Sequence, residues 1–149
     1  MKQAATGFTL MELVIVLAIV ALLAAIAVPS YSSYMIRSKR TDATAALLKL
    51  AAAQEKFFLQ NNTYTTNLTT SPPAGLGISG TDAGYYTLAI KAPDAACPIT
   101  ACWAATATPV VGLSQDRDKD CTVFEINSLG QKVAENSGGT DNTKNCWTR

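Results

Sequence analysis

The stretch that decides the fold is GFTLMELVIVLAIVALLAAIAVP, which runs from Gly7 to Pro29. Within it, the 21 residues from Phe8 to Val28 carry a single charged side chain, the carboxylate of Glu12. At about 1.5 Å per residue, a helix of this length covers roughly 30 Å, the thickness of the hydrocarbon core of a bilayer. The segment therefore predicts a helix that can span a membrane.

The position of Glu12 near the start of this helix allows two interpretations. A carboxylate in the middle of a membrane span costs on the order of 3 kcal/mol, and it costs less near an end. Glu12 is either a solvated residue at the positive end of the helix dipole, or the partner of a positive charge on a neighbouring subunit. A free α-amino group, made by cleavage just upstream, would supply that charge.

Two cleavage sites compete on the sequence. Ala25-Ile26-Ala27 has the small-x-small form of a secretory signal site, and cleavage after Ala27 would release a secreted, disulfide-stabilised binding domain. A cut between Gly7 and Phe8 would instead remove only the polar leader. The apolar run is longer than the about 7 to 15 residues of a signal-peptide core, which favours the second site.

The residues Gly7-Phe8-Thr9-Leu10-Met11-Glu12, with the apolar run and Pro29 behind them, resemble the prepilin signature of type IV pilins and of the pseudopilins of type II secretion. The resemblance implies that prepilin peptidase cuts between Gly7 and Phe8 and that Phe8 is then N-methylated. The spacing from Phe8 to Glu12 adds a hypothesis: Glu12 of one subunit pairs with the amine of Phe8 on its neighbour and sets the axial register of a filament.

After Pro29 the pattern changes from continuously apolar to amphipathic. Apolar residues recur at spacings of three and four, which predicts that the helix continues to about residue 60 with a bend at Pro29, because proline removes a backbone donor. The apolar stripe consists of Ala46, Leu47, Leu50, Ala53 and Phe57. The predicted organisation is a leader (1–7), a membrane or filament-core helix (8–29) and a globular head (30–149), with its helix at 30–60, a loop at 61–84, and a sheet and C-terminal loop at 85–149.

Four segments of the head alternate in the manner of strands: Tyr85–Lys91, Trp103–Thr108, Cys121–Asn127 and Gln131–Ala134. Three or four antiparallel strands packed on one long helix define an α+β class. The family resemblance implies the same arrangement, the type IV pilin fold with a C-terminal loop bounded by a disulfide.

Four cysteines, Cys97, Cys102, Cys121 and Cys146, all follow the helix. An even number in a small exported head suggests two disulfides, for which three pairings are possible. We expect Cys97 to pair with Cys102 and Cys121 with Cys146. The tail resembles that of PilE-like minor pilins, in which the last cysteine pair bounds a surface loop; the matching residues lie at 116–121, 127–130 and 145–147.

Asp116, Asp118 and Asp120 alternate in the manner of a calcium loop. The chain lacks the glycine and the glutamate that an EF-hand places at its sixth and twelfth positions. A solvated turn, balanced by Arg117 and Lys119, is the favoured interpretation, and a weak calcium site stays open. We expect no cofactor and no bound metal.

The net charge of +1 and the pI near 7.6 give no field that would predict a specific nucleic-acid partner. The chain has no histidine and no glycine-rich phosphate loop, so catalysis is not expected. Arg37, Lys39 and Arg40 weakly oppose export of the head under the positive-inside rule.

The family resemblance implies a minor pilin that takes part in pilus assembly and is built into a filament used in surface attachment, twitching motility or DNA uptake. A pseudopilin of type II secretion is the alternative. The implied partners are other pilin subunits, the inner-membrane pilus assembly platform, the prepilin peptidase and methyltransferase, and the membrane before assembly. The implied location is the bacterial inner membrane, single-pass with the head in the periplasm, and afterwards the extracellular pilus.

Overall fold

The computed structural model describes residues 8–91 and 94–148, in two compact units that divide between Met35 and Ile36. In chain order the elements are helix α1 (Leu10–Asn61), strand β1 (Tyr86–Ile90), strand β2 (Ala104–Pro109), a 3-10 turn (Ser114–Arg117), strand β3 (Val123–Asn127), strand β4 (Lys132–Glu135) and helix α2 (Thr143–Trp147).

The first part of α1 buries none of its large apolar side chains. From Phe8 to Val28 these side chains are 51% to 88% exposed. By length and composition α1 is able to cross a membrane, a test that a signal sequence would also pass. The helix continues through Pro29, and the Ser33 hydroxyl donates a hydrogen bond to the Pro29 carbonyl at 3.1 Å. The bend at Pro29 stays a prediction.

The second part of α1, which follows Pro29 and ends at Asn61, is amphipathic, as its apolar spacing predicts. One side buries the residues Ala43, Ala46, Leu47, Leu50 and Gln54, and Ala53 and Phe57 pack partly against the same core. The helix ends at Asn61 because Asn62 adopts a left-handed φ of 54°, and its backbone N–H donates to the Phe58 carbonyl at 2.8 Å.

The four strands form one antiparallel sheet in the order β1-β2-β3-β4. The register aligns Leu88, Ala107, Phe124 and Ala134 in one row across all four strands, and each of these residues is buried. Side chains of a strand alternate between faces, so this row lies on the face that shares a core with α1. The α+β class and the four-stranded sheet are thereby confirmed.

The strand ends differ from the predicted ones by one or two residues; β3, for example, begins at Val123 rather than at Cys121. Helix α2 and the 3-10 turn were not predicted, because elements of five and four residues are too short to show a helical period. The second compact unit begins at Ile36, and the first buried residue of α1 is Arg40. The boundaries of the leader, the apolar helix and the head stay predictions.

The structure joins Cys97 to Cys102 and Cys121 to Cys146, with Cα–Cα distances of 5.3 and 5.8 Å. Both sulfurs of the second pair belong to buried residues. The region between Cys121 and Cys146 contains β3, β4 and the start of α2, so this disulfide encloses half of the sheet.

The two disulfides should differ in their contribution to stability. Under the loop-entropy relation, closure over the 25-residue separation of Cys121 and Cys146 contributes about 3.5 kcal/mol, and closure over the five-residue separation of Cys97 and Cys102 about 2 kcal/mol. Chemical denaturation of the Cys121→Ser/Cys146→Ser variant should therefore show the larger loss in free energy of unfolding. Equal losses for the two double variants would contradict this order.

Candidate assembly site

The start of α1 is closed by a reciprocal pair of hydrogen bonds between Thr9 and Glu12. The Glu12 backbone N–H donates to the Thr9 hydroxyl at 3.2 Å, and the Thr9 backbone N–H donates to Glu12 Oε2 at 3.3 Å. This is a capping box, which satisfies two backbone donors that the first turn of a helix leaves without partners. Glu12 therefore has a structural role within its own chain.

The capping box leaves part of the Glu12 carboxylate available. Its Oε2 also lies 3.3 Å from the Thr9 hydroxyl, whereas its Oε1 accepts no hydrogen bond within residues 8–91 and 94–148. Phe8, directly before the cap, is 88% exposed. Gly7 lies outside the described residues, so cleavage at Gly7–Phe8 and methylation of Phe8 stay predictions.

In the head, a buried ion pair joins α1 to the segment before β3. Arg40 Nε donates to Asp118 Oδ2 at 2.7 Å, and Arg40 Nη2 donates to Asp118 Oδ1 at 2.8 Å. The exposed fractions of the two residues are 8% and 3%. Two parallel bonds between a guanidinium and a carboxylate fix the orientation of both groups. Asp120 adds a weaker contact at 3.6 Å from Arg40 Nη2.

Neighbouring contacts hold the same segment against α1. Asp118 Oδ1 accepts the backbone N–H of Cys121 at 3.3 Å, which connects the ion pair to the disulfide.

Buried Gln115 donates from Nε2 to the Ile36 carbonyl at 3.1 Å and to the Tyr86 hydroxyl at 2.7 Å. The Lys39 ammonium donates to the Ser114 hydroxyl at 2.9 Å.

Electrostatics at this site follow from burial and charge. Burial opposes the charge of Arg40, but the hydrogen bond to Asp118 and the charges of Asp118 and Asp120 raise its pKa overall. Burial raises the pKa of Tyr86 to about 12, although the hydrogen bond with Gln115 acts in the opposite direction.

The interpretation of Asp116, Asp118 and Asp120 as a solvated turn balanced by Arg117 and Lys119 is wrong for Asp118. That residue is buried, and its counter-charge is Arg40 from a distant part of the chain. Within the described part of the chain, no group of three or more histidine, cysteine, aspartate or glutamate side chains is placed to hold a metal ion.

The role of Arg40 was missed, although the sequence contains a signal for it. Arg40 precedes Ala43 by three residues and Leu47 by seven, so it belongs to the apolar stripe of α1. A charged residue on a buried stripe requires a partner, because an unpaired buried charge is costly. The sequence does not show which of the acidic residues supplies it.

A second feature of the head is the surface around Trp147 on α2. The ring lies edge-on to Phe124 with centroids 6.1 Å apart, and Trp147 Nε1 donates to the Val133 carbonyl at 3.0 Å. The Lys132 ammonium lies 5.2 Å from the ring centroid, and Lys144 is exposed on the same helix. The Trp147 side chain is thus held in place and is half-buried beside a lysine.

Two known families match the sequence of this chain. The family described as "Type IV minor pilin ComP, DNA uptake sequence receptor" matches residues 29–125, which is more than half of the chain, and the prokaryotic N-terminal methylation motif matches residues 2–28. The chain belongs to the type IV pilin family. The recognition made from Gly7 to Glu12 and from the apolar run is confirmed.

Similar proteins are major subunits of pili. This pilin is 46% identical over 59 residues to the type IV major pilin protein PilA of Myxococcus xanthus, covering 40% of the chain and 27% of that protein. It is 37% identical over 91 residues to the type IV major fimbrial protein FimA of Dichelobacter nodosus, covering 60% of the chain and 52% of that protein. The pilin thus spans about half, or less, of the length of these relatives.

A solved type IV pilin from Shewanella oneidensis is also similar, with a TM-score of 0.49 and 21% identity, covering 76% of this pilin and 99% of that chain.

Replacing Arg40 should destabilise the head strongly. Arg40→Ala leaves the Asp118 carboxylate buried without its partner, which costs about 3–5 kcal/mol of unfolding free energy. The matched control is Lys49→Ala, which removes an exposed pair with Asp82 and should cost less than about 1 kcal/mol.

The double variant Arg40→Met/Asp118→Asn removes both charges and keeps an oxygen to accept the backbone N–H groups of Asp120 and Cys121. It should recover much of the stability that Arg40→Ala loses, as measured by denaturation of each purified variant. Equal losses for Arg40→Ala and Lys49→Ala would contradict the conclusion that Asp118 is buried and depends on Arg40 for its counter-charge.

Proposed function

We propose that this pilin is anchored in the membrane by the first part of α1 and is then built into a type IV pilus as a minor subunit. The observation that carries the proposal is the exposed apolar surface from Phe8 to Val28. Exposure of such an apolar surface to water is unfavourable. Lipid covers this surface before assembly, and the helices of neighbouring subunits cover it in a filament. The family match to a minor pilin supports the minor role.

The same proposal includes processing and assembly. Prepilin peptidase removes residues 1–7, Phe8 becomes the methylated N-terminus, and the inner-membrane assembly platform transfers the subunit into the filament with its head outside the membrane. The methylation motif supports this processing. The pilin and fimbrial names of the relatives favour a pilus over type II secretion. The protein acts as a structural subunit and not as an enzyme.

In this proposal Glu12 has two roles, one within its own chain and one between subunits. Oε2 completes the capping box, which shapes the first turn of α1. The carboxylate charge attracts the α-amino group of Phe8 on an adjacent subunit and sets the axial register. The opposite charges attract most strongly where water is excluded, because the effective dielectric is low there.

A second function, DNA uptake, is favoured by the description of the matched family as a DNA uptake sequence receptor. The chain offers chemistry that suits DNA at the Trp147 surface. Lys132 and Lys144 are cations that can contact DNA phosphates, and Lys132 lies over the held ring of Trp147. The near-neutral net charge of the whole chain does not predict this function.

Variants at Glu12 and Thr9 separate the two roles of the carboxylate. Glu12→Gln preserves the capping box, because glutamine also completes it, and removes the charge. Thr9→Ala removes the capping hydroxyl and keeps the charge. Quantitative mass spectrometry of sheared pili should find this pilin as a minority component in wild type, strongly depleted in Glu12→Gln and near the wild-type level in Thr9→Ala.

Each alternative outcome of that measurement is informative. Normal incorporation of Glu12→Gln would contradict the charge-pairing role of Glu12. Absence of the wild-type protein from purified pili would contradict the pilus proposal itself.

DNA binding is tested by fluorescence anisotropy with short duplex DNA and the purified pilin. Lys132→Ala/Lys144→Ala should weaken binding and reduce the slope of log K against log salt by about 2, since each lost phosphate contact removes about one unit. Lys49→Ala/Lys91→Ala is the matched control, because these two lysines are paired with Asp82 and Glu125. Equal binding by the two double variants would contradict the assignment of DNA to the Trp147 surface.

A further inference from the structure

Two tyrosines follow the apolar segment at the point where a spanning helix leaves the hydrocarbon core. Tyr31 and Tyr34 are 66% and 63% exposed. They lie three residues apart on α1, so both rings project from the same side of the helix. Within the compact unit that ends at Met35, the other aromatic residue is Phe8 at the opposite end of the apolar segment.

The positions of the two rings match the depth of the lipid headgroups. If Val28 is the last residue in the hydrocarbon core, Tyr31 and Tyr34 lie about 4.5 and about 9 Å farther along the helix axis. The headgroup layer extends roughly 5 to 8 Å beyond the hydrocarbon core on each side. Helical side chains lean toward the N-terminus of their helix, which brings the ring of Tyr34 back toward this layer.

The chemistry of tyrosine also fits that layer. Its ring is apolar and its hydroxyl is polar, and this combination enriches tyrosine at membrane–water interfaces. Within residues 8–91 and 94–148, neither the Tyr31 nor the Tyr34 hydroxyl makes a hydrogen bond. A ring that packs on acyl chains while its hydroxyl reaches the headgroups would satisfy both parts of the side chain.

We propose that Tyr31 and Tyr34 bind the phospholipid headgroup region and fix the depth of α1 in the bilayer before assembly. The proposal rests on the membrane-anchored state of the proposed function. The pair acts as an interfacial anchor at the end of the span that leads into the head, and it leaves the lipid when the subunit enters the filament.

The test uses the full chain labelled with 3-fluorotyrosine in vesicles of phosphatidylcholine and phosphatidylglycerol. The chain has five tyrosines, and Tyr31→Phe and Tyr34→Phe identify two of the fluorine signals. Nitroxide lipids labelled at the headgroup or at the end of the acyl chain, and a water-soluble gadolinium chelate, each broaden the signals near them. The signals of Tyr31 and Tyr34 should broaden several-fold more with the headgroup label than with the chain-end label.

Tyr64 and Tyr86, whose side chains belong to the head, are the internal controls and should respond to neither lipid label. Stronger broadening of Tyr31 and Tyr34 by the chain-end label, or by the gadolinium chelate alone, would overturn the proposal. If the wild-type chain fails to float with the vesicles, the membrane-anchored state of the proposed function is itself wrong.

A matched pair of variants tests whether Tyr31 positions the helix. Tyr31→Trp keeps an amphipathic ring, and the headgroup-to-chain-end broadening ratio at Tyr34 should stay at the wild-type value. Tyr31→Ser removes the ring, and that ratio should change because the helix loses half of its anchor. If Tyr31→Trp and Tyr31→Ser give the same broadening ratio at Tyr34, the positioning role is overturned. A wild-type ratio in Tyr31→Trp together with a changed ratio in Tyr31→Ser supports it.

Discussion

From Phe8 to Val28 the chain carries an apolar helical surface that residues 8–91 and 94–148 leave uncovered. Between Phe8 and Val28 the large apolar side chains are at least half exposed, although their composition matches that of a membrane span. Apolar burial is worth about 25 cal/mol per Å², so lipid or other subunits must provide what the chain does not. Membrane anchoring and filament assembly are two solutions to the same physical problem.

The part of α1 in the head differs from the apolar segment, because the sheet covers one of its sides. Ala43, Leu47 and Leu50 contribute to one core with the buried row of the four strands. Into this core α1 also brings a charge, Arg40, which is compensated by Asp118. A buried pair of this kind is weak evidence for net stability and better evidence for a specific geometry, here the placement of the segment that leads to Cys121.

Much of the fold was predictable from the sequence, because long segments with a clear period leave little choice. The apolar run, the amphipathic second part of α1 and the alternating strands all had such a period, and the structure shifts the strand ends by only one or two residues. Pairing across the fold was less predictable. The Arg40–Asp118 pair joins residues 78 apart, and α2 is too short to produce a periodic signal. The capping box was not predicted, although Thr9 and Glu12 have the threonine-x-x-glutamate spacing that is typical of one.

Membrane anchoring and filament assembly both require that the apolar part of α1 stays on the mature protein. Intact mass and N-terminal sequencing of the protein isolated from its native membrane test this requirement. We expect a chain that begins at Phe8 and carries one added methyl group on its α-amino nitrogen. A mature chain that begins at Val28 would rule out both states, because it would have neither the membrane span nor the surface by which subunits associate.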